Sequence, residues 1–154
     1  MASQSARIEF NTSGEPTWAG MGDFILVSPD KRHEVSSTYY SEPPHGDSIQ
    51  TIAIGATTLP GYAWGRFFSF SPCSRYLAMS WMRKLFGDTK TIVVDLDEMR
   101  YFALPFNMHL FSLRWPLVQI VDGGFFESYR FNGSECWEQM VPNNSFKADA
   151  SGAA

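Results

Sequence analysis

"FSFSPCSRYLAMSWM", residues 68–82, decides the reading of this chain. Ser71-Pro72 opens a turn, because proline presets φ and serine bonds the turn backbone. Strand-favouring residues flank it, Phe68 to Phe70 before the turn and Tyr76 to Met82 after it, in apolar alternation. "TIVVDLD" follows at 91–97, and its Asp95 can bond the backbone of the turn that leads into "RYFALP" at 100–105. The stretch therefore predicts consecutive antiparallel strands joined by tight turns.

Working outward, the same punctuation recurs. "GDFILVSPDKR" (22–32) gives a strand at Phe24 to Val27 ended by Ser-Pro-Asp, and "HEVSSTYYSEPPHGD" (33–47) starts as a β-branched strand and ends in a loop. "SIQTIAIGA" (48–56) places Ile49, Thr51 and Ala53 on one face and Gln50, Ile52 and Ile54 on the other. With "RFFSF", "YLAMSWM", "LVQIV" and "FFESYRF", about nine segments have strand length and turn boundaries. The best helix candidate, "SWMRKLFGDT" (80–89), spans about two turns and reads equally well as a strand end plus loop.

Residues 68–105 resemble one repeat of the WD40-like β-propellers, whose F-S-P-D-G-R-Y-L-A turn leads into an inner strand and then a strand ending in aspartate. Ser71-Pro72 and Arg75-Tyr76-Leu77-Ala78 match, while Cys73-Ser74 replace the family's Asp-Gly. Ser28-Pro29-Asp30 echoes the same turn. A propeller closes with typically about four to eight blades, at roughly 40–45 residues each, so 154 residues cannot complete one. The expected fold is all-β and mainly antiparallel, with propeller-blade-like meanders packed as a sandwich or open barrel rather than a closed propeller. Uncovered edges and faces then favour a homo-oligomer, a dimer or larger.

"GGFFESYRFNGSECWEQM" (123–140) reads as a hairpin around a type I′ Asn132-Gly133 turn. That register sets Arg130 opposite Glu135, Tyr129 opposite Cys136, and Glu127 opposite Glu138. The last pair is either a carboxylate couple for acid–base work or two groups splayed into water at the open end of the sheet.

The chain carries 13 Phe, 6 Tyr and 5 Trp. Most belong in a core, but several sit beside chain breakers: Trp18, Tyr62 and Trp64 within "LPGYAWGRFF" (59–68), and Trp115 before Pro116. Gly61 and Gly65 could present Tyr62 and Trp64 on a loop beside Arg66, as a binding surface or as a cap on the core.

The net charge is -4 and no basic stripe is present, so nucleic acid is not an expected partner. No apolar run reaches the ~20 residues of a membrane span, and "MASQSARIEF" lacks a secretory apolar segment. Cys73 and Cys136 are far apart in sequence, which fits a reducing compartment, so a cytoplasmic location is expected. There is no G-x-S-x-G, H-E-x-x-H, P-loop or dinucleotide fingerprint, and we read neither cofactor nor metal. His33, His45 and His109 are scattered.

A single β-rich domain is expected over 5–141, with a flexible tail at 142–154. "NNSFKADASGAA" (143–154) resembles the tails of proteins encoded in mobile integron gene cassettes, which implies a bacterial accessory gene and no particular activity. The function expected is noncatalytic binding of a small molecule or protein at an aromatic-lined cleft or subunit interface, around Tyr62, Trp64 and Arg66 with Trp18 and Trp115. The alternative is a small hydrolase or lyase using Glu127 and Glu138, with His109 nearby.

Overall fold

Ser28 and Ser71 open two turns of the same construction in the computed structural model, which describes residues 6–19, 22–44, 48–107, 110–120 and 128–142. In each, the serine N–H donates to the carbonyl five residues on (Ser28 to His33, 3.0 Å; Ser71 to Tyr76, 2.9 Å), and the serine carbonyl accepts from the residue three on, at 2.9 Å in both. The serine Oγ accepts the N–H of His33 or Tyr76 at 3.1 Å. The fourth residue takes a left-handed φ, +65° at Lys31 and +70° at Ser74. The shared S-P-x-x-R wording thus encodes a shared backbone, and each turn joins two antiparallel strands.

Among the described residues the elements are all strands: β1 (Ala6–Glu9), β2 (Thr17–Trp18), β3 (Phe24–Val27), β4 (Glu34–Ser41), β5 (Ile49–Ile54), β6 (Thr57–Thr58), β7 (Tyr62–Phe70), β8 (Tyr76–Met82), β9 (Thr89–Asp95) and β10 (Arg100–Ala103). They continue with β11 (Phe111–Arg114), β12 (Leu117–Ile120), β13 (Ser128–Arg130), β14 (Glu138–Gln139) and β15 (Val141–Pro142). The "SWMRKLFGDT" segment is the end of β8 and the turn into β9, with no helix. β1, β2, β6, β11 and β15 were not separately legible in the sequence; most are too short for an alternation to register.

A large sheet runs β1-β3-β4-β5-β7-β8-β9-β10-β14, and a small one β11-β12-β13. Pairing is antiparallel apart from β1 with β3. The large sheet does not close, since its end strands β1 and β14 do not pair with each other. It folds over instead, because one buried cluster draws on Leu26 (β3), Val35 (β4), Ile52 (β5), Phe68 (β7), Met79 (β8) and Val94 (β9). The two Ser-Pro turns consequently meet, with Asp30 N–H donating to Ser74 Oγ at 2.9 Å.

β8 and β9 are covered on both faces. Leu77, Met79 and Trp81 face the first core, whereas Tyr76 and Ala78 face a second one shared with Phe111, Leu113 and Val118 of the small sheet. With both faces covered, β8 is buried along its whole length, as a middle layer requires. The sandwich expected from sequence is present, with a third layer added by β11-β12-β13.

The Asn132-Gly133 hairpin is not formed. β13 pairs with β12, and β14 pairs with β10 in the other sheet. Gly133 has φ +91° but Asn132 has no positive φ, so the turn is not type I′. Glu135, expected opposite Arg130, instead accepts from the N–H groups of Asn132 and Gly133 at 3.0 Å and from the Tyr129 hydroxyl at 2.8 Å. Burial of Phe131 in the second core and its N–H bond to Pro116 O (2.8 Å) pull the chain away from hairpin geometry. Strand pairing reaches Pro142, the first residue assigned to the tail; 143–154 lie outside the described residues.

Asp95, fully buried at the end of β9, ties the turns together. Its carboxylate accepts from Arg75 Nε and Nη2 (both 2.9 Å), from Arg100 Nε (3.0 Å), and from the N–H groups of Asp97 and Glu98 (3.2 Å). Burial alone would raise its pKa, but the two guanidinium groups and the turn N–H outweigh it and hold the carboxyl below its usual range. Asp95→Asn is expected to cost about 3 kcal/mol in urea unfolding, since it strands two cations on a buried amide. Because the folded pKa is depressed, the stability Asp95 supplies is present above about pH 4 and lost as pH falls through the folded value. The variant should show a flatter acid dependence than the parent; an equal slope would mean Asp95 is not the group responsible.

Candidate functional site

Tyr62 and Trp64 lie within strand β7, not on a loop as the flanking glycines suggested. Both glycines do take positive φ, +82° each. A Cβ on Gly61 would come within 2.6 Å of Met82 O and Trp81 Nε1, so the strand enters where only glycine fits. Gly65 sits in the register shift between Ala63 and Phe68, a bulge that keeps β7 in the sheet while switching which residues face the core.

The register fixes what the outer face carries. Ala63 and Phe68 point into the first core, so Tyr62, Trp64 and Phe67 point away from it. Trp18 on β2 is the direct partner of Phe67, and Ile49 on β5 is the direct partner of Trp64. Tyr40, beside the bulge in β4, brings its ring to 5.1 Å from that of Tyr62. Ile49 and Met82 are buried under this group, while Trp18 (54 %) and Tyr40 (51 %) stay exposed. Burial and the neighbouring Tyr40 push the Tyr62 phenol pKa up. The face combines apolar ground with exposed amphipathic rings, the composition of a contact surface. Arg66 is on the same strand.

Trp115 does not join this face. It stacks on Tyr76 at 3.6 Å and 8°, lies 4.5 Å from Phe131 and 6.2 Å from Trp137, and belongs to the second core. A tryptophan next to proline looked loop-borne in sequence; here the small sheet carries it inward. Arg75 lies over Tyr76 at 5.2 Å and Arg100 over Trp137 at 4.5 Å, so the Asp95 network and the aromatic stack are one assembly.

Of the proposed carboxylate pair, Glu127 lies outside the described residues, as do His109 and His45. Glu138 is on β14, away from any hairpin partner. It accepts from Arg83 Nη2 at 2.9 and 3.1 Å and from the Tyr101 hydroxyl at 2.5 Å. The Tyr101 hydrogen bond, with Arg83, holds its carboxyl below the usual range, the opposite of a general acid's requirement. His33, one of the scattered histidines, sits 3.0 Å from Asp97 between the turns.

Two features were not singled out in sequence. Tyr40 was hidden in a strand that merely looked β-favouring. A cavity of about 230 Å³ between β8, its following turn and β9–β10 is lined by Trp81, Arg83, Lys84, Gly87, Asp88, Lys90 and Ala103. Reading 80–89 as a hairpin would have brought Lys84 and Lys90 to one end of the sheet.

No group of three or more His, Cys, Asp or Glu is placed to hold a metal among the described residues. Comparison with known proteins finds no matching family model, no matching curated protein and no matching solved structure.

The two tryptophan environments should separate in stability. Trp115→Ala is expected to cost about 3 kcal/mol by chemical denaturation, as large-to-small changes in an aromatic cluster do. Trp18→Ala should stay within about 0.5 kcal/mol of the parent. Equal losses would contradict the assignment of one ring to core and the other to surface.

Proposed function

We propose that this chain is a noncatalytic binding protein that acts through the outer aromatic face of β2, β4, β5 and β7, with a second copy of itself as the partner. The observation that carries this reading is the convergence of Trp18, Tyr40, Tyr62 and Trp64 from three strands, β2, β4 and β7, onto one face, with two of the rings more than half exposed. Exposed aromatic groups over an apolar floor are costly in water unless something covers them. A self-complementary face is the simplest cover, since a twofold interface uses the same patch twice.

The reading extends to a bacterial accessory gene of the mobile-cassette kind, supported by the tail resemblance at 143–154. Two exposed free cysteines, Cys73 and Cys136, support a reducing, cytoplasmic setting. Among the described residues, no helix is long and apolar enough to cross a membrane. A hydrolase or lyase on Glu127 and Glu138 has less support, because Glu138 is neutralised by Arg83 and bonded by Tyr101.

Light scattering over a concentration series tests the reading. The parent should give a mass above the 17.4 kDa of one chain that falls on dilution, and Tyr40→Glu or Trp64→Ala should shift the equilibrium toward monomer with the β-sheet circular dichroism unchanged. A parent that remains at the single-chain mass throughout overturns self-association.

A further inference from the structure

The turn from β8 to β9 contains an irregularity that packing does not explain. Phe86 takes φ +61°, a conformation bulky side chains adopt rarely, and its ring is 70 % exposed. Gly87 N–H donates to Lys84 O at 3.0 Å, closing a four-residue turn whose third position would ordinarily be glycine or asparagine. Neither burial nor turn chemistry calls for phenylalanine there. Strain of this kind collects at working sites.

The same turn walls the 230 Å³ cavity. Its floor is apolar: Ala103 and Trp81, the indole of which is locked by donating Nε1–H to Pro60 O at 2.7 Å. Arg83 lies 5.1 Å over the Trp81 ring and is committed to Glu138. Lys84 and Lys90 also line the cavity, and neither makes an ion pair with a described residue. Asp88 is the single carboxylate in the lining. In a chain of net charge -4, two unneutralised lysines beside an apolar floor form a local positive field.

We propose that this cavity binds a small organic phosphate: the phosphate between Lys84 and Lys90, and the organic part against Trp81 and Ala103. Lysine ammonium groups suit a compact polyvalent anion, which offers several acceptor oxygens without demanding the planar fork of arginine. A cavity of this size admits a monoester of one small ring and excludes a dinucleotide. The proposal is independent of the aromatic face, whose rings lie on β2, β4 and β7.

The test uses phenyl phosphate as probe on the full-length, isotope-labelled protein, followed by amide and indole NMR shifts. Saturable movement of the Gly87 and Lys90 amides and of the Trp81 indole N–H is expected. Lys84→Met and Lys90→Met should each weaken binding about tenfold, the loss of one charge-assisted contact. Both lysines are exposed, so the variants keep the fold. Benzyl alcohol, which has the ring without the phosphate, should not saturate. The proposal is overturned if phenyl phosphate produces no saturable shift, if the double variant binds as the parent does, or if benzyl alcohol binds equally well. Inorganic phosphate binding as tightly as phenyl phosphate would overturn the organic half of the assignment.

Discussion

The carboxylate of Asp95 is the constraint on which the arrangement of layers rests. It lies fully buried at the end of β9, opposite Tyr76 on one neighbouring strand and Arg100 on the other. Two arginines and two backbone N–H groups satisfy it, so the cost of taking the charge out of water is met by fixed partners. Those arginines lie over Tyr76 and Trp137, and Tyr76 stacks on Trp115 of the small sheet. One buried charge therefore sets where the β7-β8 and β9-β10 turns sit and where the third layer docks. Asp97, two residues on, meets His33 at 3.0 Å, which brings in the β3-β4 turn as well.

This network explains why two Ser-Pro turns, 43 positions apart, converge. Each turn is locally determined, by a serine that both donates and accepts and by one residue in the left-handed region. Their meeting is not local. It follows from the fold-over of the large sheet, which buries apolar side chains from β3, β4 and β5 against those of β7, β8 and β9. Hydrophobic burial supplies the driving force, and the polar turn cluster selects one alignment of the two halves.

The sequence was legible where structure is set by nearest neighbours. Phe24 to Val27, Tyr76 to Met82 and the Asp95 turn were readable because alternation and turn chemistry agree there. It was misleading where a distant contact overrides a local preference. Asn132-Gly133 is a strong hairpin signal, yet Phe131 gains more by entering the second core, and the strand beyond leaves for β10. "GYAWG" looked like a loop because glycines usually mark loops; here they mark the tight entry to one strand and a bulge inside it. Trp115 packs inward for a related reason, since the β11–β12 turn folds it onto Tyr76.

The same distinction governs where binding can occur. Side chains bound into the Asp95 assembly are committed to structure, and their perturbed charges are explained by one another. The outer face of β7 and the cavity beside β8 stand apart from that assembly, on opposite faces of the same hairpin: Tyr62 pairs with Met82, and Ala63 with Trp81, so the face and the cavity share a wall. Trp81 closes the cavity floor from the core side, while Met82, the next residue, underlies Tyr62. Alternation along two residues of β8 thus separates an apolar contact surface from a basic pocket. A strand buried along its whole length lies between them and supplies a residue to each.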